Sequence, residues 1–280
     1  MKSLFKYRFI GSVVALFLLI SAAPGTAEEQ KPTADFTVYG LSAYIWRGQE
    51  LTRNSVVVQP SATVSYRGLS ANLWGNLDTK PWTPTDADNP ANWTETDLTL
   101  SYSRAFGPVT AGVGYIYYGL NATVKGAADP PDSQEVFVSL GLNTILSPTL
   151  TVYKEIDHYK QWYVLLGVSH SFELTKAVSL KMSASGSYLK SEYADPADPL
   201  NTGYPKYVNG SPTSDKFNNF HDGTVSVALP VSIAEHVTIT PIVSYIFPLS
   251  DEARDEMKGR SKSTESSSFL VGGVGLTFAF

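Results

Sequence analysis

Seven carboxylates are the residues most able to carry chemistry, because each falls at or near an end of a short segment in which apolar and polar residues alternate. They are Asp78, Glu95, Asp97, Glu135, Glu155, Asp157 and Asp222. Carboxylates with ordinary pKa values near 4 are negative at neutral pH unless they are buried or closely paired. Gathered around one opening, they would attract cations and repel anions, as acidic rings do in cation pores. The sequence therefore predicts an acidic, pore-lining mouth.

A second interpretation of these carboxylates stays equally open. If the alternating segments form a large barrel, that barrel needs polar groups inside it. The carboxylates could then be paired with Arg47 and with the loop lysines Lys80, Lys125 and Lys160. The further candidates for inward positions are Arg47, Trp74, Tyr153, Tyr163 and Lys181, with Phe137 and Phe220 interleaved. The pattern leaves the facing direction of the first segment, which contains Arg47, undecided.

Enzymatic motifs are scarce. The sequence has no cysteine, no H-E-x-x-H and no G-x-S-x-G, which excludes thiolate sites and two common hydrolytic patterns. Only His158, beside Asp157, has the surroundings of a general base. His170 and His221 fall on the parity expected to face lipid. We expect no catalytic residue, no metal and no cofactor, and a hydrolase at the rim is the least favoured hypothesis.

The first 27 residues have the layout of a secretory signal peptide. Lys2, Lys6 and Arg8 precede an uncharged stretch over 9–23, and small residues at Gly25 and Ala27 suit a cleavage site. Removing residues 1–27 leaves 18 cations and 26 carboxylates, a net charge of −8. An acidic exported chain argues against nucleic acid as a partner. Residues 28–280 are expected to form one domain.

Alternation with a period of two is the main structural signal. Over 55–66, Val56, Val58 and Val64 share an apolar face, and Ser61 and Thr63 lie on the other face. Similar segments predict 12 strands, an even number as in bacterial single-chain barrels. They cover 35–47, 55–66, 69–78, 94–105, 109–118, 134–143, 149–157, 161–172, 177–188, 217–229, 235–247 and 267–280.

The connections between these segments alternate in length. Short ones such as 67–68 and 106–108 follow every second strand, and long ones cover 79–93, 119–133, 189–216 and 248–266. Short periplasmic turns and long extracellular loops are typical of outer-membrane barrels. The sequence therefore predicts an all-β fold, a transmembrane antiparallel β-barrel of about 12 strands.

Aromatic residues on the apolar faces support a barrel in the lipid bilayer of the bacterial outer membrane. One band is expected near the outer ends and another near the periplasmic ends, as in interfacial girdles. The outer band is Tyr115, Tyr117, Trp162, Tyr188, Phe217, Tyr245 and Phe247, and the inner band is Tyr66, Tyr102, Phe172, Phe278 and Phe280. The terminal Phe280 resembles the signal read by the barrel assembly machinery, which is an expected partner.

A closer resemblance lies in the first strands. Tyr44-Ile45-Trp46-Arg47-Gly48, then Gln59-Pro60, Gly68-Leu69 and the stretch 72–76 (Asn-Leu-Trp-Gly-Asn) resemble a proteobacterial family of exported barrel-like proteins with an N-terminal YxWRG strand. The match covers about 40 residues. It implies a barrel fold and no particular activity.

These observations favour a passive, porin-like channel for small polar or cationic solutes. The alternative is a non-conducting barrel that binds a partner, or fills its own lumen, through loops 79–93 and 189–216.

Overall fold

The computed structural model describes residues 31–53, 55–82, 89–197, 203–262 and 266–280. The chain forms a closed barrel of 12 antiparallel strands, as the alternation predicts. The elements in chain order are β1 (Thr33–Leu41), β2 (Ile45–Trp46), β3 (Gln49–Glu50), β4 (Val57–Tyr66), β5 (Leu69–Asp78), β6 (Asn92–Phe106), β7 (Val109–Leu120), β8 (Ser133–Leu142), β9 (Thr149–Glu155), β10 (Gln161–Glu173), β11 (Ser179–Ser191), β12 (Pro205–Val208), β13 (Ser211–Lys216), β14 (Asn218–Ala228), β15 (Val231–Ala234), β16 (Val237–Pro248), α1 (Asp251–Arg260) and β17 (Phe269–Ala279).

The ring consists of β1, β4 to β11, β14, β16 and β17. It closes where β1 pairs with β17, in a register that places Phe36 opposite Phe278 and Leu41 opposite Gly273. Apart from the end of the first strand, the strand bounds lie within three residues of those predicted. The predicted signal peptide, residues 1–27, lies outside the described residues.

The two faces of each strand follow the predicted alternation. Outward residues are apolar and exposed, as at Leu73 (53%) and Leu270 (71%). Asn72 precedes Leu73 and faces inward. Its side-chain amide donates to the hydroxyls of Ser61 and Thr63 on the neighbouring strand β4. An apolar exterior around a polar interior is the arrangement required in a bilayer.

The first barrel strand ends at Leu41, six residues earlier than predicted. Residues 42–53 turn into the lumen and form the short hairpin β2–β3. Its turn residues, Arg47 and Gly48, have φ angles of 47° and 76°, and two residues with positive φ match the type I′ turn that suits tight hairpins. This hairpin places Arg47 inside the barrel.

The connection from β16 to β17 contains α1, where the sequence predicted only a long loop. The hydroxyl of Ser250 accepts the amide of Ala253 and caps the helix. Within the described ranges, no helix combines the length and the apolar character needed to cross a bilayer. We call the barrel end that carries α1, the hairpin and the long connections the outer mouth.

Candidate functional site at the outer mouth

Arg47 lies inside the outer mouth and pairs with Glu135 of β8. Its Nη1 donates to Oε1 at 2.7 Å and its Nη2 donates to Oε2 at 2.6 Å, which makes a two-point contact. Tyr118 donates its hydroxyl to the same carboxylate at 2.9 Å. The side chains of Arg47 and Glu135 are only 9% and 1% exposed. Glu135 is therefore a buried, neutralised group and does not present a free charge at the opening.

Aromatic rings surround the guanidinium of Arg47. Its central carbon lies 4.2 Å from the ring centre of Tyr163, 4.6 Å from Trp46 and 4.9 Å from Tyr153, within the range of cation–π attraction. Burial by itself lowers the pKa of Arg47, but the carboxylate of Glu135 holds that pKa well above its ordinary value. Tyr153 and Tyr163, which were predicted to face the lumen, therefore lie against Arg47 of the same chain.

Glu95 and Asp97 of β6 form a second acidic group beside the hairpin. Tyr44 lies beside these two carboxylates, and its ring is 5.5 Å from that of Trp74. Burial, and then the charges of Glu95 and Asp97, raise the pKa of Tyr44 well above its ordinary value. Oδ1 of Asp97 is buried and has no hydrogen-bond partner among the described residues. Within those residues, neither carboxylate forms an ion pair.

A β-bulge in β14 corrects two sequence predictions. Gly186 pairs with Gly223 and Tyr188 with Phe220, so β14 has one residue more than β11 over this stretch. The extra residue reverses the parity of the residues before it. His221, predicted to face lipid, is fully buried inside, and Phe220, predicted to face inward, is 59% exposed beside Tyr188.

His221 lies between two carboxylates. Its Nδ1 is 3.0 Å from Oδ1 of Asp222, and its Nε2 is 2.8 Å from Oε2 of Glu256 in α1. A neutral imidazole has only one N–H donor, so contacts to two carboxylates fit the doubly protonated ring. Tyr163 donates its hydroxyl to Asp222 at 3.0 Å. The inward Asp222 is thereby tied to the helix in the mouth.

Glu155 holds a tight turn. One carboxylate oxygen accepts the backbone amides of Asp157 at 3.1 Å and His158 at 2.6 Å, and the other accepts the amide of Lys160 at 2.7 Å. Glu155 is 2% exposed. Its charge is taken up by backbone donors, which is a structural use of the carboxylate.

Asp78 and Asp157 also bind local groups. Asp78, fully buried, accepts the hydroxyl of Ser55 and the amide of Lys80 at 3.0 Å. Asp157, predicted to point inward, is exposed and accepts Nε2 of Gln134 at 2.7 Å. Because Gln134 lies on the outward parity of β8 and β9 has already ended at Glu155, Asp157 lies on the outside of the rim.

His158 lacks the arrangement of a general base. Its ring stands edge-on to Tyr159 at 5.1 Å, and its neighbour Asp157 is turned toward Gln134. The described residues contain no group of three or more potential metal ligands. Asp157, the acid expected to orient His158, is thus bound to Gln134 instead.

Three segments occupy the outer end of the lumen, and we call them together the plug: residues 42–53, residues 203–217 and α1. Tyr204, Phe217 and Ala253 of the plug pack on Tyr163 and Leu189 of the wall. Phe217 was predicted to be a girdle residue, but it precedes β14 and is fully buried.

The hairpin and the helix of the plug are in close contact. A Cβ atom at Gly48 would lie 2.9 Å from Cε of Met257 and 3.2 Å from Cβ of Asp222. Met257 in turn packs on Ile246, Phe269 and Val271 of the wall. Glycine therefore suits position 48, where a Cβ atom would force Met257 to shift and where the backbone has positive φ.

Below the plug, short hydroxyl side chains line much of the inward face, and one of them, Thr63, donates to the inward carboxylate of Asp35. The hydroxyls of Thr37 and Thr277 lie 2.9 Å apart, and those of Ser226 and Ser244 lie 2.7 Å apart. These residues are half-buried, which leaves them open to the lumen. The candidate Lys181 is exposed on the same inward parity of β11. The inward groups of the lower lumen are therefore less buried than the paired charges of the mouth.

Sequence reasoning missed the contributions of Glu256, α1 and residues 42–53 to the plug. It had offered loop 189–216 as a segment that could fill the lumen, and Tyr204 of that loop does pack against the wall. A helix signal was present, since Ser250 precedes two acidic residues and Lys258 and Arg260 lie in the last turn. The bulge at His221 left no such signal, because its effect depends on pairing with another strand.

No family model and no curated protein matches the chain. Among solved structures, the NanC porin is similar over 87% of this chain and 98% of its own, with a TM-score of 0.51 and 9% identity. The chain has the fold of an outer-membrane β-barrel. An outer membrane channel from Pseudomonas putida F1 (TM-score 0.47, 8% identity, 93% of this chain and 100% of its own) and the outer membrane phospholipase of Salmonella typhi (0.41, 14%, 91% and 94%) are also similar. At these identities the likeness extends to the fold alone.

Proposed function

We propose that this barrel is a passage through the bacterial outer membrane for small polar or cationic solutes, and that its outer mouth is closed in the conformation described here. The observation that carries the proposal is the lining below the plug. A barrel of about 12 strands is wider than the about 8-stranded barrels that side chains can fill. Here many of the inward residues, such as Thr37, Thr277 and Ser226, are short, polar and half-buried. Such a lining suits a solute path.

The cation preference of this passage rests on fewer residues than the seven carboxylates of the sequence pattern. Glu135 is neutralised by Arg47, Glu155 is held by turn amides and Asp157 lies outside. Glu95 and Asp97 remain as inward carboxylates without an ion-pair partner in the described part of the chain. We assign the selectivity to this pair in the open passage, where water reaches both carboxylates and favours their charged form.

A second candidate function is a non-conducting barrel that binds a partner through its extracellular loops. The plug favours it, because its charged groups are buried in paired contacts at Arg47–Glu135 and His221–Glu256. Removing one member of such a pair is strongly destabilising, so the closed arrangement depends on both members of each pair. Neither candidate uses a catalytic residue or a cofactor.

Export through a cleavable signal peptide and recognition by the assembly machinery are part of the proposal. Phe280 supports the second point. Its backbone pairs with Ala34, its ring stacks on His236 at 5.8 Å, and the residue is 72% exposed. An exposed terminal ring on the last strand is accessible to another protein during insertion.

Conductance in planar bilayers tests the passage. The double variant Arg47→Ala/Glu135→Ala leaves no unpaired buried charge. It also removes the packing of Arg47 on Trp46, Tyr153 and Tyr163, so the hairpin loses these contacts with the wall. We expect rare openings for the wild type and frequent, larger openings for this variant. The matched control Lys154→Ala/Glu192→Ala removes an exposed ion pair of the rim and should behave as the wild type. Absence of conductance in all three proteins would reject the passage and leave the non-conducting barrel.

A further inference from the structure

One wall of the lumen below the plug is apolar. Leu41 of β1, Ile242 of β16 and Val271 of β17 all face inward, as their cross-strand registers place them. Together with Tyr39, Gln59 and Ser244 they line a cavity of about 200 Å³. Elsewhere in the lower lumen the inward residues named above are hydroxyls, amides, Asp35 or Lys181. A water-filled passage for polar solutes gives no reason for an apolar wall, so this wall calls for a separate explanation.

Glycines of β17 shape this recess. A Cβ atom at Gly273 would lie 2.5 Å from Cδ2 of Leu41, and one at Gly275 would lie 2.4 Å from the ring of Tyr39. Leu41 and Tyr39 therefore lie flat against β17, where side chains of that strand would otherwise stand. The space in front of them, bounded by Ile242 and Ser244, stays open. The cavity is thus lined by side chains of four strands, β1, β4, β16 and β17.

The polar groups of the cavity are uncharged. Gln59 donates its amide to Oδ1 of Asn76 at 3.0 Å, a bond that does not use its carbonyl oxygen. The hydroxyl of Ser244 is shared with Ser226 at 2.7 Å, and Tyr39 adds a phenol. Among the residues that the structure describes, no carboxylate, lysine or arginine lines the cavity. A charged ligand would lose its hydration there without gaining a partner of opposite charge.

We propose that this cavity is a binding site for a small uncharged molecule with one apolar ring and one hydroxyl or amide group. The apolar wall of Leu41, Ile242 and Val271 takes the ring, and Gln59 or Ser244 takes the polar group. The size agrees, because an apolar cavity of about 150 Å³ is large enough for benzene. Predominantly apolar walls with a few placed polar groups are typical of ligand pockets.

Benzyl alcohol is the probe for the test, with the barrel in lipid nanodiscs and empty nanodiscs as the reference for partition into lipid. Ser244→Leu fills the cavity, and the matched control Ser139→Leu adds the same side chain to the inward face of β8 on another wall. Ligand-observed NMR should show saturable binding to the wild type and to the control, and binding at least tenfold weaker to Ser244→Leu. Equal binding to all three, or only the partition seen with empty nanodiscs, would overturn the proposal.

A second variant covers the case in which Ser244→Leu fails to fold. Ile242→Gln has a side chain of comparable volume but makes the wall polar, and it should also weaken benzyl alcohol binding at least tenfold. Glucose lacks an apolar ring and benzoate is charged, so neither should bind the wild type or the Ile242 variant. Saturable binding of glucose or of benzoate would contradict the assigned ligand class. The test requires no conduction, so its failure is separate from a failure of the proposed passage.

Discussion

The outer mouth and the lower lumen of this barrel are built in different ways. The lower lumen is lined by the strands themselves, with half-buried hydroxyls such as those of Thr37 and Ser226. The mouth is filled by segments that leave the ring, and its charged groups are buried in pairs such as Arg47–Glu135. A buried pair adds little net stability, but the loss of one partner is costly. The mouth thus depends on matched charged partners, whereas the hydroxyls of the lower lumen are not held in buried ion pairs.

Breaking the Arg47–Glu135 pair should give the largest effect. Glu135→Ala leaves a buried guanidinium without its carboxylate, which costs about 3–5 kcal/mol. We expect the hairpin to leave the lumen while the barrel stays folded, because the strand pairing of β8 is unchanged. The chain has no cysteine, so a single cysteine at Gln49, which is 7% exposed, can report the change. Thiol labelling of that cysteine should accelerate at least about 100-fold, since 1.4 kcal/mol corresponds to a factor of 10.

The control for this variant is Glu192→Ala, which breaks the exposed pair with Lys154. Exposed pairs contribute about 0–1 kcal/mol, so labelling at position 49 should stay slow. Equal labelling in the wild type, Glu135→Ala and Glu192→Ala would mean that the ion pair does not hold the hairpin in place.

The histidine contact should give the next largest effect. His221→Leu removes the donor shared by Asp222 and Glu256, and hydrogen bonds to charged groups contribute about 1.5–3 kcal/mol. The loss falls on α1, because Glu256 belongs to that helix. A cysteine at Met257, fully buried in the wild type, should become accessible to thiol reagents. His170→Leu makes the same replacement on the outward face and should leave that cysteine protected; labelling that is equally fast in both variants would argue against a role for His221.

The contrast between the two regions also explains what the sequence could predict. β5 has the predicted bounds, 69–78, because the alternation of Asn72 and Leu73 follows directly from one polar and one apolar face. The same rule fails at His221, where a bulge reverses the parity, and at Arg47, where the chain leaves the ring. Bulges and inward hairpins depend on contacts with distant residues such as Glu135 and Glu256. Periodicity alone therefore describes the wall and not the plug.

Selectivity should change moderately when the charges of Glu95 and Asp97 are removed. In the background of Arg47→Ala/Glu135→Ala, Glu95→Gln/Asp97→Asn should move the reversal potential toward zero in a salt gradient. The shift should be larger in dilute salt, where the Debye length is about 30 Å at 0.01 M, than at 1 M, where it is about 3 Å. Glu155→Gln is the control, because that carboxylate is held by turn amides. If the control variant shifts the potential as much, selectivity does not depend on Glu95 and Asp97.

The smallest effect is expected at the exposed rim, where Glu192 accepts Lys154 at 2.5 Å and Nε1 of Trp162 at 2.8 Å. The hydrogen bonds from Lys154 and then from Trp162 lower the pKa of Glu192. A lowered pKa in the folded protein means that the contact stabilises the rim above the ordinary glutamate pKa of about 4.3 and is lost as pH falls through the lower folded value. Because the carboxylate is 44% exposed, screening keeps the contribution at about 0–1 kcal/mol. Tryptophan emission followed from about pH 6 to about pH 2 should change below the ordinary pKa in the wild type and not in Glu192→Gln. A change centred above that pKa, or one that persists in Glu192→Gln, would show that a different group titrates. The Lys154–Glu192 pair would then not account for the pH dependence of the rim.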